Sequence, residues 1–251
     1  MTTPIARHTP IVADQSDMPG FHAPTELLWF CSPVRYADAW DLQMRLHHER
    51  VINSRPDTIL ILEHQPVYTV GRRALVSDWG GNPTAAHVDG IEIHHVNRGG
   101  SVTYHGPGQL VVYPILRLTD HVRGVRAYVE QLEEAVIQCL RQNGIAGHRQ
   151  AKTPGVWVTD LQDAKIASIG IRVDRGVTMH GLALNVDMDL SPFRGITPCG
   201  LQGSHATSMA EVVGQPVSLV AVTHSLLDQL KQTLALRWTR APAPIEFQAV
   251  T

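Results

Sequence analysis

The chain has little net charge, few aromatic residues and no long apolar run, and these absences narrow what the protein can be. Its 21 basic and 23 acidic residues nearly cancel, which gives a formal net charge of −2. Such a balance provides no global basic field, so nucleic acid is not expected as a main partner. No apolar stretch approaches the roughly 18 residues that a membrane-spanning helix needs, and no membrane association is expected.

Cysteine is also scarce, and its pattern excludes a disulfide framework. The three cysteines, Cys31, Cys139 and Cys199, are odd in number and far apart, a usage typical of reducing compartments. Because the N-terminus lacks the apolar core of a secretory signal, we expect a cytoplasmic protein. The 14 histidines include no HExxH motif and no doublet with a partner at zinc spacing, so no metal is expected.

Two unpatterned ends flank what we interpret as one folded domain. Residues 1–22 are polar with scattered prolines and are predicted to be a disordered extension. Residues 241–251 are predicted to be a flexible C-terminal tail. No linker or internal repeat interrupts residues 23–240, so a single domain is the simpler interpretation.

Two hydrophobic periodicities alternate within the folded region. Short apolar or β-branched runs predict strands at 58–64, 66–73, 91–100, 109–118, 155–160, 165–173 and 177–187. Apolar residues at helical spacing predict long helices at 37–50, 125–142 and 217–234. Turn residues separate the last three strands, which indicates a meander. The mixture predicts an α/β or α+β domain with a mixed, largely antiparallel sheet flanked by helices.

The most unusual segment is RGGSVTYHGPGQL, residues 98–110, which contains four glycines and one proline. Glycines let a backbone approach a ligand closely and leave N–H groups available. The segment lacks the Gly-Lys-Ser/Thr of a P-loop and the GxGxxG spacing of a dinucleotide-binding turn. By composition alone, a glycine-rich hairpin connection explains it equally well.

Two single residues stand in atypical surroundings. Lys165 opens the apolar run KIASIGIRV, where a lysine can serve as a base, although most lysines are solvated surface charges. Cys199 follows an aperiodic stretch and is assigned to a loop, although an isolated cysteine is more often an inert buried thiol. A reactive thiolate needs a nearby base, for which Lys165, His105 and His180 are candidates. A structural role explains either histidine equally well.

Four segments, in this order, resemble the lipoyl(octanoyl) transferase family: RGGSVTYHGPGQLVVYPI, KTPGVWV, AKIASIGIRV and GVTMHGLALNVDMDLSPFRGITPCGL. The resemblance spans about residues 25–238 and implies the biotin/lipoate protein ligase fold, with an octanoyltransferase catalytic domain at 23–240. The implied reaction transfers an octanoyl group from octanoyl-acyl carrier protein to a specific lysine of lipoyl domains, as the first step of endogenous lipoate biosynthesis. The implied acceptors belong to the 2-oxoacid dehydrogenase complexes and the glycine cleavage H protein, and neither ATP nor a metal takes part.

The resemblance also implies roles for individual residues. The family's nucleophilic cysteine falls on Cys199, which would carry the acyl group as a thioester. Its catalytic lysine falls on Lys165, as general acid and base, and His180 is a supporting candidate. The implied substrate-binding residues are Arg98, Gly99, Gly100, Ser101, Val102, Thr103, Tyr104, His105, Ser168, Ile169, Gly170, Gly181, Leu182 and Ala183.

Other interpretations stay open on the sequence. An ATP-dependent lipoate or biotin protein ligase shares the implied fold but needs no cysteine nucleophile. A non-catalytic acyl or lipoyl-domain binding module, or an amidotransferase acting between protein lysines, are further alternatives. Because acyl carrier proteins are usually acidic, three basic pairs are candidate docking sites, although solvated surface charges explain them at least as well. These pairs are Arg72–Arg73, Arg149–Lys152 and Arg172–Arg175.

Overall fold

The computed structural model describes residues 24–79, 87–88, 90–151, 153–159, 163–196, 205–240 and 243–247. The predicted N-terminal extension lies outside these ranges. So do Lys152, of the second basic pair, and Cys199, the predicted nucleophile. All structural statements below concern the described residues.

Strands and helices are mixed along the chain, as the periodicities predict. The strands are β1 (Glu26–Phe30), β2 (Thr58–Leu62), β3 (Val67–Val70), β4 (His87–Val88), β5 (Ile91–His95), β6 (Val102–His105), β7 (Gln109–Ile115), β8 (Gly147–Gln150), β9 (Thr153–Val158), β10 (Ala164–Asp174), β11 (Val177–Asn185) and β12 (Pro244–Ile245). The helices are α1 (Tyr36–Val51), α2 (Val125–Gln142), α3 (Met209–Val213) and α4 (Leu219–Thr233).

The described strands form two sheets. The larger has the order β12-β1-β2-β7-β11-β10-β9-β8, in which β1 runs parallel to β12 and β2 and every other neighbouring pair is antiparallel. The smaller has the order β4-β5-β3-β6. The predicted class, a mixed and largely antiparallel α/β domain, is confirmed, as is the meander of β9, β10 and β11. The separate small sheet was not predicted.

Helices cover both faces of the large sheet, and the alternation of side chains along the strands explains how. In β2, Ile59 and Ile61 pack with α2 and α4, whereas Leu60 and Leu62 pack with α1 on the opposite face. A strand covered on both faces reads as an unbroken apolar run rather than an alternating one, as TILIL does.

The long helices lie close to their predicted positions. α2 spans the predicted residues, and Gly144 follows it with φ +77°, a backbone conformation that glycine adopts without strain. α4 begins after Ser218, whose side chain accepts a hydrogen bond from the Ala221 amide and so caps the helix. None of the described helices combines the length and apolar character needed to cross a membrane.

The C-terminal residues differ from the predicted flexible tail. Pro244 and Ile245 form β12, which pairs with Trp29 and Phe30 of β1. Phe247 then contacts Phe30 edge to face, with ring centroids 4.9 Å apart. This short segment covers an edge of β1 that would otherwise present unpaired backbone groups.

Candidate functional site

A pocket lies where the glycine-rich segment meets the centres of β10 and β11. It encloses about 500 Å³, including its open mouth. Its lining comprises Tyr36, Arg98, Gly100, Ser101, Val102, Thr103, His105, Tyr113, Lys165, Ser168, Ile169, Gly170, His180, Gly181, Leu182 and Ala183. Twelve of the fourteen predicted substrate-binding residues are among them, and only Gly99 and Tyr104 are not. Residues from three separate motifs therefore meet at one cavity, while their role in substrate binding stays a prediction.

Strand pairing brings two of these motifs together. Ser168, Ile169 and Gly170 of β10 lie directly opposite Ala183, Leu182 and Gly181 of β11, respectively. The glycine-rich segment rests on the same place, because the Gly99 amide donates to the Ile171 carbonyl at 2.9 Å. A Cβ at Gly170 would lie 3.0 Å from the Gly99 carbonyl oxygen, which is closer than an ordinary contact, so the close approach of loop and strand favours glycine.

Arg98 places a positive charge in the pocket wall. Its side chain is buried, and its Nη2 donates to the Thr69 carbonyl at 2.6 Å and to the Thr69 hydroxyl at 2.9 Å. Its Nη1 donates to the Gly99 carbonyl at 3.0 Å. These bonds hold the guanidinium at the junction of β3 and the glycine-rich segment.

The two candidate histidines are buried and neutral. Burial, the neighbouring His64 and the charge of Arg98 lower the pKa of His105 well below its ordinary value. Burial, followed by the charges of Arg98 and Arg172, lowers the pKa of His180 to about 3. His180 also has φ +56° in the middle of β11, an uncommon conformation for a residue other than glycine and one typical of functional sites. Low pKa values make both rings weak bases near neutral pH.

Lys165 is buried, as its apolar surroundings predict. Its side chain is 6% exposed, its Nζ donates to the Pro154 carbonyl at 3.0 Å, and it lies 5.3 Å from the centre of the Trp157 ring. A β-bulge between Lys165 and Ala167 shifts the register of β10 against β9. Gly155, with φ +131°, makes room for the Lys165 side chain.

The chain that leads away from Cys199 runs beside Lys165. The Lys165 amide donates to the His205 carbonyl at 2.7 Å, and the Thr207 amide donates to the Lys165 carbonyl at 3.0 Å. On the other side of the undescribed segment, Ile196 packs in the apolar cluster that contains Tyr104. Cys199 itself lies outside the described residues, so its contact with Lys165 stays a prediction.

Several buried residues at the site were not predicted. Tyr36 and Tyr113 line the pocket, and the Tyr113 hydroxyl lies 2.8 Å from His64 Nε2. Behind the wall, Gln109 and Asn185 share a hydrogen bond at 2.9 Å. For those residues that lie in strands, the sequence offered one signal that could have identified them. This signal is a polar side chain within an otherwise apolar run.

The described residues contain no group of three or more His, Cys, Asp or Glu side chains that could hold a metal ion.

The candidate docking pairs differ in how their charges are compensated. Arg149 forms ion pairs with Glu133 and Glu134, and Arg172 lies 3.4 Å from Asp174. Arg72 and Arg73 are exposed and form no ion pair with any described residue. Their amides donate to the carbonyls of Arg98 and Gly100, which places this pair next to the pocket.

Comparison with known proteins finds relatives over most of the chain. Residues 35–231 match the family model described as the lipoyl protein ligase A/B catalytic domain. An octanoyltransferase from Chloroflexus aurantiacus is 43% identical over 208 residues, which is 82% of this chain and 93% of the relative. Octanoyltransferases from Magnetococcus marinus and Thermobifida fusca are 47% and 43% identical, and cover 73% and 86% of this chain and 81% and 93% of their own lengths.

Solved structures with the same fold support the predicted ligase-like architecture. A lipoate-protein ligase A bound with ATP covers 90% of both chains with a TM-score of 0.65 and 15% identity. The bipartite lipoate protein ligase of Thermoplasma acidophilum covers 90% of this chain and 88% of its own, with a TM-score of 0.63 and 15% identity. At such identity the likeness concerns the fold alone, and it confirms the predicted ligase-like architecture. The family match and the octanoyltransferase relatives together show that the chain belongs to the lipoyl protein ligase A/B catalytic domain family and is an acyltransferase of its octanoyltransferase branch.

Proposed function

We propose that the enzyme transfers an octanoyl group from octanoyl-acyl carrier protein to a specific lysine of a lipoyl domain, through a thioester on Cys199. The acceptors are the lipoyl domains of 2-oxoacid dehydrogenase complexes and the glycine cleavage H protein. The observation that carries this proposal is the buried Lys165 in the wall of the pocket, bonded to the chain that follows Cys199. The names of the curated relatives support the octanoyl group as cargo.

The pocket lining has a surface that suits an apolar acyl chain. It includes the small residues Gly100, Gly170, Gly181 and Ala183 together with Leu182. Each methylene buried there contributes about 0.8 kcal/mol to binding. A donor shortened by two carbons is therefore expected to bind roughly tenfold more weakly than an octanoyl donor.

Lys165 moves the proton in both half-reactions. First, its amine takes the proton of Cys199, and the thiolate attacks the carbonyl carbon of the donor thioester. The tetrahedral intermediate expels the carrier thiolate, to which the Lys165 ammonium returns the proton. Then the neutral amine of the acceptor lysine attacks the acyl-cysteine, Lys165 accepts one amine proton, and the Cys199 thiolate leaves and recovers it. Because one thioester replaces another in the first step, no ATP is consumed.

The low pKa values of the two pocket histidines favour this assignment. Because burial and the charge of Arg98 lower their pKa values, His105 and His180 stay neutral in the near-neutral range and do not accept a second ring proton. A general acid and base must bind and release the proton near the working pH. Burial raises the pKa values of Tyr36 and Tyr113, which also line the pocket, so we assign the role of base to the Lys165 amine.

The segment Arg72–Val76 provides the docking surface for the carrier protein. Its two arginines lack ion pairs to described residues, and Leu75 and Val76 behind them are 66% and 43% exposed. A surface that is both basic and apolar suits an acidic carrier whose acyl arm is joined through a phosphodiester, since arginine binds phosphate well. The lysine of an acceptor domain gains nothing from two positive charges. Arg149 and Arg172 suit the role less because carboxylates already compensate them.

The decisive experiment measures intact protein mass after mixing with octanoyl-acyl carrier protein in the absence of ATP. Wild type is expected to gain one octanoyl group, which a lipoyl domain then discharges, whereas Cys199→Ala gains none. Lys165→Met is expected to accumulate the adduct far more slowly. Octanoyl transfer that occurs only with ATP and free octanoate would instead identify a ligase. Binding of acyl carrier without any turnover would identify a non-catalytic module.

A further inference from the structure

A series of buried polar side chains runs behind the pocket wall. It begins at Arg98, whose Nη2 and Nε donate to the Thr69 hydroxyl at 2.9 and 3.3 Å. The Thr69 oxygen lies 3.3 Å from His105 Nε2, and His105 Nδ1 lies 2.6 Å from the Gln109 side-chain oxygen. Thr69, His105 and Gln109 belong to β3, β6 and β7, respectively, so these bonds join the two sheets.

The series continues to the chain beside Lys165. Gln109 Nε2 donates to Asn185 Oδ1 at 2.9 Å, and Asn185 Nδ2 donates to the Thr207 carbonyl at 2.8 Å. The Thr207 amide then donates to the Lys165 carbonyl at 3.0 Å. We name the side chains of Thr69, His105, Gln109 and Asn185 the buried hydrogen-bond chain.

Each hydrogen bond in the buried hydrogen-bond chain is donated in the same direction, from Arg98 toward Thr207. Carbonyl groups that can only accept hydrogen bonds fix this direction. The Thr207 carbonyl only accepts, so the Asn185 amide nitrogen must face it and its oxygen must face Gln109. The Tyr104 carbonyl also only accepts, which fixes Gln109 Nε2 toward it and Gln109 Oε1 toward His105. His105 is therefore protonated on Nδ1, and its bare Nε2 accepts from the Thr69 hydroxyl.

The geometry points to Gln109 and Asn185 as positioning residues, which hold the residue 205–207 segment in register with Lys165 and couple it to the glycine-rich loop at Arg98. Neither amide lines the pocket, so neither touches substrate. They act through the bond to Thr207, because the residues that follow Cys199 are held against Lys165 there. This inference rests on the proposed function for its kinetic consequence, but the chain itself can be tested without it.

Substitutions at Thr69 can distinguish coupling through the buried hydrogen-bond chain from simple packing. Thr69 is fully buried and lies outside the pocket lining. Thr69→Val keeps the shape and removes the hydroxyl, whereas Thr69→Ser keeps the hydroxyl and removes a methyl group. A packing role makes the serine variant the worse one, because a cavity is left. The hydrogen-bond chain makes the valine variant the worse one, because His105 Nε2 loses its donor.

The first measurement is the single-turnover rate of acyl-enzyme formation with octanoyl-acyl carrier protein. We expect Thr69→Val to lower this rate about tenfold, the kinetic equivalent of one lost buried hydrogen bond, and Thr69→Ser to lower it less than about threefold. The second is ¹⁵N NMR of His105, which reports the protonated nitrogen. Wild type and Thr69→Ser are expected to show the Nδ1-protonated ring, and Thr69→Val a mixture of tautomers.

Gln109→Glu provides a second perturbation with a matched control. The carboxylate keeps the shape of the side chain but can donate a hydrogen bond to neither Tyr104 nor Asn185. Hydrogen exchange of the Thr207 amide should therefore accelerate at least tenfold. Gln229→Glu introduces a carboxylate at another buried glutamine, in α4, and should leave that exchange unchanged. An active Thr69→Val with a wild-type His105 tautomer, or equal exchange in both glutamate variants, overturns the inference. Absence of any acyl-enzyme in wild type would refute the proposed function instead. The NMR and hydrogen-exchange results would then still test whether the buried hydrogen-bond chain exists.

Discussion

Gly155 makes room for Lys165, and its replacement by alanine tests whether the position of that lysine controls the rate. A Cβ built at Gly155 lies 2.5 Å from the Ala167 carbonyl oxygen, 2.6 Å from Lys165 Cε and 3.1 Å from Lys165 Nζ. Carbon atoms in contact normally stay about 3.5 to 4 Å apart, so a neighbour must move by about 1 Å. Movement of the flexible lysine side chain relieves only the Lys165 contacts, whereas the contact with the Ala167 carbonyl requires β9 to shift against β10 as well.

The expected effects on stability and rate follow from two separate costs. The φ of +131° strains an alanine, and the contact overpacks the site, which together destabilise the fold by about 2 to 6 kcal/mol. Displacement of a catalytic group by about 1 Å lowers the rate about 100-fold. The assay is single-turnover octanoyl transfer per folded molecule, with the folded fraction taken from urea denaturation of the same sample.

Gly144→Ala is the matched control. Gly144 also has a positive φ, +77°, but nothing lies within 4 Å of the added Cβ. The Gly144→Ala variant should lose about 1 to 2 kcal/mol of unfolding free energy. Its rate of octanoyl transfer per folded molecule should not change. A wild-type rate for folded Gly155→Ala, or an equal loss of rate in Gly144→Ala, would refute the argument that Gly155 positions Lys165.

Three further predictions concern charge. Lys165→Met should lower the rate of acyl-enzyme formation at least 100-fold in a protein that still folds, since general acid–base catalysis contributes about 10²- to 10⁴-fold. Reversal of Arg72 and Arg73 to Glu should raise the KM for octanoyl-acyl carrier protein about tenfold, with unchanged kcat on a small octanoyl thioester. Asp57→Asn should cost about 3 to 5 kcal/mol of unfolding free energy near pH 6, because Arg50 and His121, each 2.6 Å from its carboxylate, lose their charged partner.

The Asp57–His121 pair also sets a pH window for stability. Burial is the largest single influence, and by itself it raises the pKa of Asp57 and lowers that of His121. Hydrogen bonds from His121, Arg50 and the Arg117 amide together outweigh burial at Asp57 and lower its pKa. The hydrogen bond and charge of Asp57, together with the Leu234 carbonyl and the charge of Asp120, raise the pKa of His121. The stabilisation that Asp57 contributes is fully present above pH 3.8 and is lost as the pH falls through the lowered pKa of Asp57. The His121 contribution is present below 6.5 and is lost as pH rises through its raised pKa. Urea unfolding of wild type should weaken at both ends of this window, and Asp57→Asn should lose the acid-side slope and show a weaker alkaline-side slope.

The docking prediction has a matched control in a second basic pair. Reversing Arg123 and Arg126, an exposed basic pair outside the pocket lining, should leave the KM for the carrier protein unchanged. An equal rise in KM in that variant would mean that general attraction, rather than docking at Arg72–Val76, explains the effect. A Lys165→Met enzyme with a normal rate would remove the lysine from the mechanism.

Local patterns predicted a large part of the fold. The periodicity of residues 125–142 matches α2 residue for residue, and the apolar runs around 58–64 and 109–118 contain β2 and β7. Strands of two to five residues at β1, β4, β6, β8 and β12 were missed, because so few residues show no periodicity. The partners of β1, β6 and β12 lie far away in the chain, whereas β4 and β8 pair with the strands that directly follow them.

The sequence by itself determined many of the candidate site residues, and the tertiary structure determined their arrangement. Lys165 was notable for its apolar surroundings and Arg98 for the glycine-rich segment that it begins, whereas Gly170 followed from the family resemblance. The motifs did not reveal that Gln109 and Asn185, 76 positions apart, share a hydrogen bond. Hydrophobic periodicity is a local property and can be read along the chain. A polar contact between distant strands depends on their register, which becomes defined only when both faces of the sheet are buried.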